Sequence, residues 1–180
     1  MTAFRCTGKL LRAMKVTPMP HPQPSGGRLG EWTANLIRVS RMQLVVATSE
    51  PTRFGVVIDA APYATLLKRF EHALFHALLH IEIPPEMAAA EVQACNPLEI
   101  AASTSRSVLG TLNWFATDIE TAIRYRKANS AEALTRRLAK AVVLQPKHIG
   151  FPVDRVRELF DLPPLDHGKL FEAVADDEFI

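Results

Sequence analysis

"WTANLIRVSRMQLVVATSEPTRFGVVID", residues 32–59, is the stretch that decides the fold. Three runs within it, 32–39, 42–49 and 53–59, are dense in β-branched and apolar residues, and only "SR" and "EPT" separate them. Connections this short permit hairpins and nothing else, because a parallel return needs a crossover of about a dozen residues or more. An antiparallel three-stranded meander follows.

The flanks supply what covers it. From Pro62 the apolar period changes from two to 3.6, and Leu66, Leu67, Phe70, Leu74, Ala77, Leu78 and Ile81 fall on one face of a helix that Pro84-Pro85 terminates. "PEMAAAEVQAC" reads as a shorter helix, and "LEIAAST" (98–104) as a strand that can pair with a first strand over "AFRCT". A long helix spans 106–126, with Val108, Leu112, Phe115, Ile119 and Ile123 on one side. Thr7 caps a short helix over "GKLLRAMK", and Asn129 or Ser130 caps another over "AEALTRRLAKAVV". "VDRVRELF" is short and helical, and "LPPLDHG" interrupts it. Two apolar helix stripes need a sheet to bury them. The expectation is therefore an α+β fold, an antiparallel meander sheet covered by the 63–81 and 106–126 helices. Residues 1–126 would form the core domain, and 127–180 a helical extension with an acidic tail, packed on the same domain. The stretch 17–30, rich in proline and glycine, is expected to be an irregular, partly mobile loop.

A chain of 180 residues with 48% hydrophobic and 22% charged residues is of ordinary globular composition. No run approaches the roughly 18 apolar residues that span a bilayer, and the N-terminal "MTAFRCTGKLLRAMK" lacks the features of a secretory signal. Two cysteines, Cys6 and Cys95, are too few for a disulfide framework. A cytoplasmic protein with reduced thiols is expected. The net charge of +2 is distributed in blocks: residues 1–58 carry +6, 59–104 carry −4, 105–157 carry +6 and 158–180 carry −6. A basic face is thus compatible with a nearly neutral total.

Three groups of residues offer chemistry. His72, His76 and His80 stand four apart, on one flank of the 63–81 helix. Histidines at that spacing can chelate a metal, but no HExxH and no Cys or Asp at ligand spacing accompanies them, and Lys68 and Arg69 lie beside them. A solvated flank is the preferred reading, then an anion contact, and a metal last. Distant ligands such as His21, His148 or Cys95 are the remaining route to a metal site. The second group is "STSRSVLGTLN" (103–113), where hydroxyls and Arg106 open a helix whose free N–H groups attract anions. Gly110 there either packs against another helix or lets a ligand approach the backbone. The third is basic: Arg124, Arg126, Lys127, Arg136, Arg137, Lys140 and Lys147, with Glu132 the single acid between 124 and 147. Such a surface suits phosphate backbones; it equally suits a solvated face balanced by the acidic tail. "TGKLL" is not a P-loop, and no GxGxxG or GxSxG is present.

"RCTGKLL" (5–11), "LGEWTANLI" (29–37), "RMQLVVATSEPTRF" (41–54) and "RSVLGTLN" (106–113), in this order, resemble a small bacterial family classed as a domain of unknown function. Its pattern opens R-C-T-x-K-L-L, continues through W-x-A-N-L and an arginine-led hairpin, and closes near R-S-V-L-G-x-x-N. The resemblance covers about residues 3–125. It points to Arg5, Thr7, Lys9, Trp32, Asn35, Arg41, Thr52, Arg106, Ser107, Gly110 and Asn113. It also implies that the histidine row is variable, and that the proline loop and the residues after about 126 are peculiar to this chain. No reaction comes with it.

If Arg5, Thr7, Lys9, Asn35, Arg106, Ser107, Gly110 and Asn113 converge, they form a pocket for a phosphate or carboxylate. A general base is missing from the set unless Glu31 turns inward, which favours binding over catalysis. The expected function is a non-enzymatic intracellular module for a nucleic-acid or protein partner, without cofactor and without membrane association. The alternatives are an enzyme on a phosphate-containing substrate, nuclease or toxin-like, and an inhibitor of a bacterial or phage factor.

Overall fold

The computed structural model describes residues 1–172. The meander is present as β2 (Trp32–Val39), β3 (Met42–Ser49) and β4 (Gly55–Asp59), paired antiparallel in the register Ala34↔Ala47 and Ala47↔Val56. Ser40, at φ +55, makes the two-residue turn that suits a tight hairpin. Two further strands, β1 (Thr2–Cys6) and β5 (Leu98–Ala102), complete the order β4-β3-β2-β1-β5.

β1 runs parallel to both β2 and β5, so the sheet is mixed, whereas an antiparallel sheet was expected. The cause is the length of the connections. Residues 7–31 lie between β1 and β2, which is long enough for a parallel return. They hold α1 (Gly8–Met14), whose N-terminus Thr7 caps through its Oγ1, and then the proline-rich loop. From β4 the chain crosses to the opposite edge through α2 (Leu66–His80) and α3 (Pro85–Cys95) before entering β5.

The helices cover both faces. Trp32, Leu36, Val45, Ala47, Val56 and Ile58 pack in one cluster with Leu66, Phe70, Leu74 and Leu78 of α2. Phe70 is its hub, with its ring edge-on to Phe4 at 4.9 Å and to Trp32 at 5.0 Å. Ile37, Val39, Leu44, Val46 and Val57 form the second cluster with Leu112, Phe115, Ile119 and Ala122 of α4 (Arg106–Arg124) and with Leu134 and Leu138 of α5 (Ala131–Leu138). β3 is buried from Leu44 to Ser49 without a break, as a strand covered on both sides must be. At Gly55 a Cβ would stand 3.0 Å from Phe115 and Leu138, so α4 and α5 press on β4 where there is no side chain. α6 (Pro152–Leu159) and α7 (His167–Glu172) follow; Val153, Val156 and Leu170 join the α2-side cluster. α7 was not foreseen in the sequence. The acidic tail lies almost wholly outside the described residues.

Both sheet edges are closed. On the outer edge of β4, Thr135 Oγ1 accepts from the Val57 N–H at 2.9 Å and stands 3.2 Å from the Val57 carbonyl. Beyond β5, the loop residue Met19 donates its N–H to the Ile100 carbonyl. The loop is irregular, as expected, and it is pinned: the buried Glu91 carboxylate accepts from the Arg28 and Leu29 N–H groups, both at 2.9 Å. Glu91→Ala would orphan both donors and lower unfolding stability by about 3 kcal/mol. Glu99, which takes a long bond from the Gln23 N–H at 3.4 Å in exposed surroundings, serves as the control; Glu99→Ala should cost under about 0.5 kcal/mol. Equal midpoints for the two variants in urea denaturation would contradict the pinning role.

Candidate functional site

The eight residues proposed for an anion pocket do not form one pocket. Glu31 does turn inward, and it meets Arg5, which also donates to the Ala102 carbonyl at 3.1 Å. Thr7 Oγ1 donates to Asn35 Oδ1 at 2.7 Å, and that oxygen also accepts from the Leu36 N–H. Arg5, Thr7 and Asn35 are therefore occupied in tying β1, β2 and β5 together. Lys9 and Asn113 stand exposed. Of the other residues of the family pattern, Trp32 is core, Thr52 bonds Ser49 within the β3–β4 turn, and Arg41 is exposed on the hairpin.

Arg106, Ser107 and Gly110 do come together. With Thr111 and Trp114 they line a cleft of about 450 Å³ at the N-terminal end of α4, and residues 142–145 form its opposite wall. α5 returns antiparallel along α4, held by Arg137, whose Nε and Nη2 both donate to Asp118 at 2.8 Å. This return brings 142–145 back to the start of α4. Ser105 is the N-cap and accepts from the Val108 N–H.

Arg53 was missed as a site residue, although it stands in the quoted "EPTRF". It is only 6% exposed and adopts φ +61, a backbone conformation that costs a side-chain-bearing residue about 1 kcal/mol. Its guanidinium donates to the Glu50 carbonyl and, through Nη2 at 3.0 Å, to Ser107 Oγ, while its Nε is buried without a partner. Burial lowers its pKa from the ordinary arginine value, against an opposing pull from Glu50. The one signal available in sequence was a cation placed against "FGVV", a run that was bound to be buried.

The electrostatics of this helix end run against the usual arrangement. Helix N-termini carry partial positive charge and favour acids. α4 has no acid in its first turn and opens with Arg106 instead, with Arg53 buried against the next residue. No acidic side chain lines the cleft among the described residues. Thr111 Oγ1 is buried on the cleft wall without a hydrogen-bond partner. Gly110 sits mid-helix, and a Cβ there would meet nothing within 4 Å, which removes helix packing as its reason. Trp114 follows one turn later, 48% exposed.

The basic residues divide. Arg136 pairs with Glu132 and Arg137 with Asp118, whereas Arg124, Arg126 and Lys127 are exposed at the far end of α4. With a rise of about 1.5 Å per residue, they begin about 27 Å from Arg106. The cleft and that basic cluster are thus separate surfaces.

His72, His76 and His80 line a larger cleft, about 710 Å³, between α2, β4 and α5. The His72 and His76 rings meet edge-on at 4.4 Å. Among the described residues, no group of three His, Cys, Asp or Glu side chains could hold a metal ion. Asp59 and Glu132 face this cleft, Arg69 is directed onto the carbonyls of Asp59, Ala60 and Pro62, and Arg136 is on Glu132. Its charges are balanced, which leaves the α4 cleft as the stronger candidate. Cys6 and Cys95 are buried free thiols, and burial pushes each up to about 12.

Two outcomes follow. Gly110→Ala should raise unfolding stability by about 0.5–1 kcal/mol, since it removes a helix-interior glycine into open space; destabilisation on a thermal melt would return Gly110 to an internal packing role. With both thiols protonated far above pH 8, a thiol reagent at pH 8 should leave the native protein unlabelled and label both cysteines once it is denatured.

The profile of the family described as Domain of unknown function (DUF6933) matches residues 3–155. The match runs past residue 125, so α5 and the 142–145 wall belong to the family's domain and are not peculiar to this chain. No curated protein and no solved structure matches the chain. The match spans most of the chain and takes in the whole pattern from Arg5 to Asn113: this chain belongs to the DUF6933 family of domains of unknown function.

Proposed function

We propose that this chain is a non-enzymatic binding module that receives an anionic group of a nucleic-acid or protein partner in the α4 cleft. The observation that carries this is the positive end of α4, where no acid stands in the first turn or on the cleft wall among the described residues. Arg106 opens the helix on the cleft, and the buried Arg53, partly offset by Glu50, lies behind it on Ser107. A bound carboxylate or phosphate would supply the missing charge. Local arrangements that oppose stability in this way are expected at functional sites.

The enzymatic alternative has less to support it. No His, Asp or Glu lines the cleft among the described residues, so proton transfer there has no side chain to carry it. A reducing intracellular compartment accords with two buried, unpaired thiols. No described helix is long and apolar enough to cross a membrane.

The two tryptophans make the test direct. Trp32 is fully buried in the core, and Trp114 lies on the cleft. The protein would be titrated with single- and double-stranded RNA and DNA and with polyglutamate across a salt series, with tryptophan fluorescence as readout. At least one polyanion should give a saturable change that weakens with salt and vanishes in Trp114→Phe and in Arg106→Glu. If no polyanion alters Trp114 emission at low salt, the cleft does not bind anions and the proposal falls.

A further inference from the structure

The composition of the cleft narrows the partner. Beside the polar Arg106, Ser107, Thr111 and Gln145, its walls carry large apolar side chains: Trp114 on α4, and Val142, Val143 and Leu144 across from it. Leu144 is 76% exposed, an unusual position for a large aliphatic side chain. Val143 turns into the α4-side core and donates its N–H to the Gly150 carbonyl at 2.7 Å. Its neighbours Val142 and Leu144, which alternate with it, make no backbone hydrogen bond among the described residues. Beside the single bridge Val143↔Gly150 they form a short edge whose N–H and C=O groups have no backbone partner among the described residues.

From these features we propose that the α4 cleft takes an extended peptide segment of a protein partner, in which an apolar or aromatic side chain adjoins an acidic residue. The proposal rests on the reading of this cleft as the binding site. The peptide backbone adds to the 142–144 edge, the mode by which extended peptides join an exposed strand. Its apolar side chain enters the gap above Gly110, flanked by Trp114, where the missing Cβ leaves the helix backbone open to close approach. Its carboxylate meets Arg106 and the N-terminal end of α4, the one place on these walls with net positive charge. Tryptophan and arginine are the residue types that dominate binding energy at protein interfaces. A nucleic acid fits this cleft less well, because three aliphatic residues on one wall offer nothing to a sugar-phosphate chain, and among the described residues Arg106 is the single exposed cation lining it.

The experiment uses phage-displayed random peptides of about ten residues, selected on the intact protein, with Gly110→Leu, a substitution into open space whose folding is checked by thermal melt, kept for the affinity comparison. Enriched peptides are synthesised with a fluorophore and measured by anisotropy. The expected result is a shared acidic residue beside Leu, Phe or Trp, with affinity reduced at least about tenfold by Gly110→Leu, by Arg106→Glu, and by replacing the peptide's acid with its amide. His72→Ala, in the other cleft, should leave affinity unchanged. Absence of enrichment, an enriched set without acids, or equal binding to Gly110→Leu overturns the peptide proposal. If a nucleic acid shifts Trp114 emission while no acidic peptide is enriched, the anion site stands and the partner is a nucleic acid. If neither responds, both readings fail together.

Discussion

The two-sided burial of β3 is the constraint from which the rest of the structure follows. Leu44 to Ser49 leave no solvent-facing position, so both faces of the meander must be covered. α2 covers one through Phe70, wedged between Phe4 and Trp32, and α4 covers the other through Leu112, Phe115 and Ile119. Once both faces carry helices, the remaining backbone liability is the two sheet edges. Thr135 closes one and the proline-rich loop closes the other. The loop can do so because Glu91, a buried carboxylate, gathers two of its N–H groups.

The same helix that completes the core also presents the candidate site. The inner stripe of α4 is spent on the sheet, and its outer stripe reads Arg106, Gly110 and Trp114, a cation, a gap and an aromatic ring within about two turns. Placing the site on a packed helix fixes its geometry. The cost is visible at Arg53, a buried guanidinium on a strained backbone, with one donor orphaned and the wrong sign for the helix end it supports. Arg53 offsets part of that cost by tying the β3–β4 turn to the start of α4, through the Glu50 carbonyl and Ser107 Oγ.

Much of the local structure was legible in the residues. The hairpin at Ser40-Arg41 and the one after Ser49 followed from connection length, although β4 begins at Gly55 and not at residue 53. α2 and α4 followed from periodicity and the cap at Thr7 from side-chain chemistry, whereas the choice of Ser130 over Asn129 came from the structure. The direction of β1 was not legible, because a long connection permits either sense. The division of the polar cluster was equally hidden: Arg5 and Arg106 look alike in the chain, yet one is matched by Glu31 and the other faces a cleft without acids among the described residues.

By itself, then, the sequence determined the strands, the helices, the apolar faces and the family, since these rest on periodicity, turn chemistry and ordered short motifs, all of which act over a few residues. Only the tertiary structure decided which cations are neutralised, which glycine is open and which segment walls the cleft. Arg137 finds Asp118 nineteen residues away, Arg53 finds Ser107 fifty-four residues away, and 142–145 returns to the start of α4. Charge pairing and cleft formation depend on distance in space, and no local pattern encodes it.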